Sequence, residues 1–182
     1  MRPLTRIGAL ASALAFGMAL ATASHAMSRE EYKAGKDRIA ADYKSAKAGC
    51  ATFSGNAKDI CIAEAKGNEK VAKAELEAVY QPSSKHRYDV NVAKADAEYA
   101  VAKEKCDDKA GNDKKVCMKE AKAAEIRAKA DAKANLKTAS ADNAAAEDKR
   151  EADYKVAKAK CDRFAGEAKE HCVDDAKARY GK

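Results

Sequence analysis

Tryptophan is absent from this 182-residue chain, aromatic residues make up 5 % of it, and there are two prolines, Pro3 and Pro82. Beyond Ala26 large apolar side chains are sparse, and most of the 46 % that counts as hydrophobic is alanine. At about 25 cal/mol per Å² of buried apolar surface alanine contributes little, which excludes a thick globular core. A Gly-rich phosphate loop, a Ser/His/Asp set and closely spaced metal ligands are also missing. The chain is therefore not expected to be an enzyme or to hold a cofactor or metal.

What is present is alanine, lysine and glutamate, strong helix formers, arranged around a stretch that occurs three times. Residues 43–66, 99–122 and 154–177 open on Tyr43, Tyr99 and Tyr154, each directly preceded by an acid. Each then carries Ala-Lys, a cysteine, a glycine five residues on, a second cysteine six after that, and Ala-Lys again. The pairs Cys50 with Cys61, Cys106 with Cys117 and Cys161 with Cys172 thus share one and the same spacing. On one continuous helix such cysteines would stand about 16 Å apart, far beyond the reach of a disulfide. A turn at Gly55, Gly111 and Gly166 brings the arms together, each glycine read as the left-handed cap that ends the first arm. The expected fold is all-α: three αα-hairpins, each pinned by a disulfide, elongated or loosely bundled and coiled-coil-like.

Residues 1–26 read as an export signal. Arg2 and Arg6 begin it, residues 7–23 are apolar and Ala-rich, and Ser24-His25-Ala26 offers a small-x-small cleavage site. Cleavage after about Ala26 leaves no membrane span and predicts a periplasmic protein, where an even set of cysteines reads as a disulfide framework. Metal binding, redox work and intermolecular bridging are the competing roles for these cysteines. Removing Arg2 and Arg6 lowers the net charge from +7 to +5. Lysines interleaved with acids read as a solvated helical surface, and export argues against nucleic acid as the partner.

In order, the chain predicts a signal peptide over 1–26 and hairpin units over 27–81, 82–138 and 139–182. Ser28 is a candidate N-cap with Glu30 and Glu31 in the first turn. The stripe Tyr43, Ala46, Cys50, Phe53 has helical spacing, with Tyr154, Ala157, Cys161 and Phe164 as its third copy. Asn56 with Asp59 suggests a restart cap. Pro82 with Ser83 and Ser84 marks the clear break between units one and two. Unit two rises through Tyr88, Val92, Ala95, Tyr99, Ala102 and Cys106 and returns through Cys117, Ala121, Ala124 and Ala128. Around Ser140 cap-forming residues suggest a bend or restart, with an uninterrupted helix as the alternative. The tyrosines Tyr43, Tyr99 and Tyr154 are read as packing over their own disulfides. His86 and His171 lie in different units and are read as solvent-facing.

The segment from Glu120-Ala121-Lys122-Ala123-Ala124-Glu125 to Lys133, with the repeated Tyr-Lys-x-Ala-Lys, resembles the long helical middle of TolA-like cell-envelope proteins. That resemblance implies a periplasmic helical protein of the envelope. It brings over neither an anchor nor a C-terminal globular domain, and it assigns no functional residues. The functional expectation is a non-enzymatic structural or interaction protein of the envelope, touching envelope proteins or anionic envelope polymers. A cysteine-based redox or metal-handling factor is the alternative from another class, and a small stress-linked helical chaperone or inhibitor is a third.

Overall fold

The computed structural model describes residues 26–182, so the expected export signal lies outside the described residues apart from Ala26. The fold is all-α, with no strand among the described residues. Helix α1 spans Arg29–Gly49, α2 Gly55–Tyr80, α3 Ser84–Cys106, α4 Gly111–Lys160 and α5 Gly166–Tyr180, with short 3₁₀ turns at Cys50–Thr52 and Cys161–Arg163. Three disulfides, Cys50–Cys61, Cys106–Cys117 and Cys161–Cys172, close α1 on α2, α3 on α4 and α4 on α5, with Cα separations of 5.6, 5.6 and 5.7 Å.

Local chemistry fixes most of the helix starts. Ser28 and Glu31 form a reciprocal capping box, each side chain accepting from the other's backbone N–H at 3.1 and 2.7 Å. Ser83 caps α3, its Oγ accepting from the His86 N–H at 3.0 Å, and Pro82 stands just before it. Gly55, Gly111 and Gly166 have φ of +56°, +54° and +57°. The left-handed conformation is as the sequence predicts, but its place differs. The first arm stops at or one residue before its cysteine, a short turn leads to an extended residue, Ser54, Ala110 or Ala165, and the glycine after it is the first residue of the returning helix. The chain needs this extended-then-left-handed pair to turn back within a few residues.

Two further expectations change for the same reason. Because the helix gives way to a 3₁₀ turn at Cys50 and Cys161, Phe53 and Phe164 leave the helical phase and lie exposed rather than on the inner stripe. Asn56 forms no cap; its Nδ2 instead donates to the Glu104 carbonyl of α3 at 2.7 Å. Near Ser140 there is neither bend nor restart, and α4 runs unbroken for 50 residues through the end of unit two and the first arm of unit three. Nothing there removes a backbone donor as Pro82 does.

Among the described residues each helix packs only on the helix before it and the helix after it in sequence. Leu76 meets α1 and Gly67 meets α3, and the nine positions between them place these contacts on opposite sides of α2. The result is a single layer of antiparallel helices folded back and forth. The buried apolar residues are accordingly all alanine or cysteine, and Cys50, Cys106 and Cys161 are the fully buried side chains. The return arm of unit two departs from its expected alanine stripe. Ala124 is exposed, and the buried positions are Glu125 and Ala132.

Candidate functional site

The six cysteines that carry the sequence pattern are all bridged. In every bridge the two cysteines differ in burial. The first cysteine ends its helix beneath the returning arm and is fully buried, while Cys61, Cys117 and Cys172 sit within the first two turns of the return arm and are partly exposed. Cys50 Sγ and Cys161 Sγ also lie 3.3 and 3.4 Å from the carbonyls of Ala46 and Ala157, one turn back.

The repeat tyrosines stand seven positions before their cysteines, hence about 10 Å further along the helix. Tyr154 meets Tyr180 with ring centroids 6.5 Å apart, Lys122 Nζ lies 4.9 Å over the Tyr99 ring, and Lys47 Nζ lies 5.9 Å from that of Tyr43. A pair not singled out in the sequence closes the far end of the first hairpin. Tyr32 stacks on Tyr80 at 4.2 Å and donates its hydroxyl to Glu77 at 2.5 Å. That hydrogen bond to a carboxylate raises the Tyr32 phenol above its ordinary pKa.

The densest polar cluster links three helices. Asp96 of α3 accepts from Lys70 of α2 and from Lys129 of α4, the latter at 2.5 Å. Lys129 also reaches Glu125 at 2.6 Å, and Lys122 reaches Glu125 at 2.7 Å while lying over Tyr99. Glu125 is the one charged residue in the core among the described residues. Hydrogen bonds from Lys122 and Lys129 hold its carboxyl below the usual range. Burial pushes the Asp96 carboxyl up, but hydrogen bonds from Lys129 and Lys70 outweigh it and the net shift is downward. The same contacts, to Asp96 and then Glu125, raise Lys129. Sequence alone did not reveal this cluster, because its members come from three helices and only Lys122, Glu125 and Lys129 share helical spacing.

The concavities are open grooves beside the helix seams. One of about 430 Å³ runs between α2 and α3 past Gly67, Ala97 and Val101, and another of about 530 Å³ runs between α1 and α2 past Ile39, Leu76 and Val79. His86 is half-buried and donates from its ring to the Gln81 carbonyl, and His171 is exposed. Among the described residues no three His, Cys, Asp or Glu side chains converge as metal ligands would, and no helix is long and apolar enough to cross a membrane. What the arrangement offers chemically is broad, charged helix faces held at fixed spacing by covalent bridges. No protein-family model, curated protein or solved structure matches the chain.

Proposed function

We propose that this chain is a non-enzymatic structural or interaction protein of the bacterial cell envelope, exported to the periplasm and kept in shape by its three disulfides. The observation that carries the reading is the single layer. Every helix leaves two broad faces to solvent, while the bridges at the hairpin ends hold the arms in register without a core. A surface of this kind suits extended contact with a partner, and its lysine-bearing faces suit envelope proteins or anionic envelope polymers. The TolA-like composition of residues 120–133 supports the same location.

The test is capture of partners from envelope extract after crosslinking in intact cells. Specific recovery of envelope proteins or wall polymer is the expected result, and recovery of cytosolic chains alone would defeat the reading. The partly exposed Cys61, Cys117 and Cys172 favour one competing reading, a thiol-based redox factor. Counting reactive thiols in periplasmically purified protein separates the two. A count near zero fits the structural role, and labile thiols or stoichiometric metal fit the other.

A further inference from the structure

The three-fold repeat provides an internal template for a contact that the chain makes once and then leaves unmade. Return arm α2 packs on the next unit's first arm, α3. The contact is close enough that a Cβ on Gly67 would lie 2.8 Å from that of Ala97, and Val101 lines the same seam. Two ion pairs bracket it, Lys94 to Glu75 at 2.7 Å and Lys105 to Glu64 at 3.9 Å. Return arms align with Cys61 set on Cys117, and first arms with Cys106 set on Cys161. That alignment carries Gly67 and Lys70 onto Ala123 and Ile126, and carries Ala97 and Val101 onto Ala152 and Val156. The equivalent surfaces both belong to α4, on its two halves.

Both surfaces are uncovered. Ile126 is 57 % exposed, Val156 55 %, and Val116, further along the first stripe, 45 %. The alignment also carries Glu75 and Lys94 onto Asp131 and Lys149, and Glu64 and Lys105 onto Glu120 and Lys160. These two pairs keep their signs, whereas the third pair of the seam, Lys70 with Asp96, becomes Ile126 with Glu151; among the described residues Glu120, Asp131, Lys149 and Lys160 make no ion pair. Where Pro82 lets α3 fold back on α2, the equivalent position is Thr138, and α4 continues through it. Val116 and Ala152 are separated by about ten whole turns at 3.6 residues per turn, so the two surfaces lie on one side of one straight helix. They cannot meet each other within it.

We infer that a second copy of this chain covers this side of α4, the two α4 helices pairing antiparallel about a two-fold axis. Ala123 of one copy then faces Ala152 of the other, as Gly67 faces Ala97, and the reciprocal contact forms at the same time. The axis passes near Lys137, midway between these residues. Each copy supplies the other with the return arm that its own unbroken helix withholds, and Glu120 and Asp131 gain Lys160 and Lys149 as partners. The methyl of Ala123, where α2 has glycine, sets the two helices slightly further apart than α2 and α3.

The experiment is sedimentation velocity of the oxidised protein over a dilution series, with four sets of variants. A reversible dimer is expected. Val156→Asp should weaken it by about tenfold or more, since two apolar side chains are lost per dimer, with the helical circular dichroism unchanged because Val156 is more than half exposed on the rim of the open groove between α4 and α5. Glu120→Lys should weaken dimerisation and Lys160→Glu in the same chain should restore it. Lys137→Cys, placed beside the two-fold axis, should crosslink one chain to another on mild oxidation. A protein that stays monomeric up to millimolar concentration, or a dimer indifferent to Val156→Asp, overturns the inference. So does an intrachain crosslink between Ala123→Cys and Ala152→Cys, which would show α4 closing on itself.

Discussion

At the residue scale the unequal burial of paired cysteines gives the bridges a direction. Of each pair only Cys61, Cys117 or Cys172 is partly exposed, and its sulfur is the one an incoming thiolate is expected to attack. As the new S–S bond forms, the old one breaks and its electron pair leaves on the buried Cys50, Cys106 or Cys161. Brief treatment of the native protein with limiting glutathione, an acid quench and peptide mapping should therefore find the adduct on the second cysteine of each pair. The preference should be about tenfold or more, since accessibility governs which sulfur is attacked. Equal adducts on both cysteines would mean that exchange runs through an opened hairpin instead. The same scale holds the acid limb of stability. Glu125 and Asp96 titrate below their ordinary values of 4.5 and 3.8, so their contribution is complete above those values and is lost as pH falls through the lowered folded-state values. Lys129 titrates above its ordinary 10.5, so its contribution is complete below that pH and fades only above it. Urea melts of Glu125→Gln should show a loss of about 1 to 2 kcal/mol at neutral pH that shrinks to nothing in acid. A pH-independent deficit would point to lost packing in place of the ion network.

At the element scale two glycines on neighbouring helices should respond to the same substitution with opposite sign. A methyl at Gly67 would sit 2.8 Å from the Ala97 Cβ and 3.3 Å from its Cα, atoms that cannot swing away. Overpacking of that kind costs about 1 to 3 kcal/mol, more than the roughly 1 kcal/mol that alanine gains over glycine in a helix. Gly67→Ala is thus expected to destabilise. Gly49 ends α1 with nothing within 4 Å of its added Cβ, so Gly49→Ala should stabilise by about 0.5 to 1 kcal/mol. Denaturant midpoints of the two variants decide the point, and a stabilised Gly67→Ala would mean that the α2 and α3 seam is looser than its geometry indicates. The elements also show where sequence reasoning reached and where it stopped. The pairing of cysteines was legible because covalent geometry forbids a straight helix between the two members of a pair. The glycine conformation was legible too, but not the helix it belongs to, since a glycine closing one helix and a glycine opening the next need the same positive φ. Phe53 was misplaced by carrying the helical phase of α1 through Cys50, where the backbone tightens into a 3₁₀ turn. Around Ser140 the cap-forming side chains permit a break without requiring one, and a long alanine-rich helix costs less than stopping. Burial of Glu125 was hidden because it depends on Lys129 being shared with Asp96 of another helix.

At the scale of the whole molecule the absence of a second layer makes the bridges unequal in importance. The seam between α2 and α3 has no disulfide, yet it holds the close Gly67 contact, the pairs from Lys70, Lys94 and Lys105, and the Asn56 bond to Glu104. The hairpin of α4 and α5 has little beyond its bridge: Ala176 buried, Tyr154 against Tyr180, and Lys182 at 2.8 Å from both Glu147 and Glu151. A disulfide closing a loop this short contributes roughly 3 kcal/mol, and an isolated helix of 15 residues such as α5 is marginal in water. Reduction should therefore release α5 first and leave α2 and α3 paired. Hydrogen exchange on the reduced protein tests this directly. Amides of residues 166–180 should exchange close to the rate of unstructured chain, while those lining the α2 and α3 seam keep most of their protection. Removing the third bridge alone, as Cys161→Ser with Cys172→Ser, should reproduce the loss in α5 under oxidising conditions and leave the first two hairpins unchanged. Uniform loss of protection in all five helices on reduction would show instead that the layer folds as one cooperative unit in which no seam stands without its neighbours.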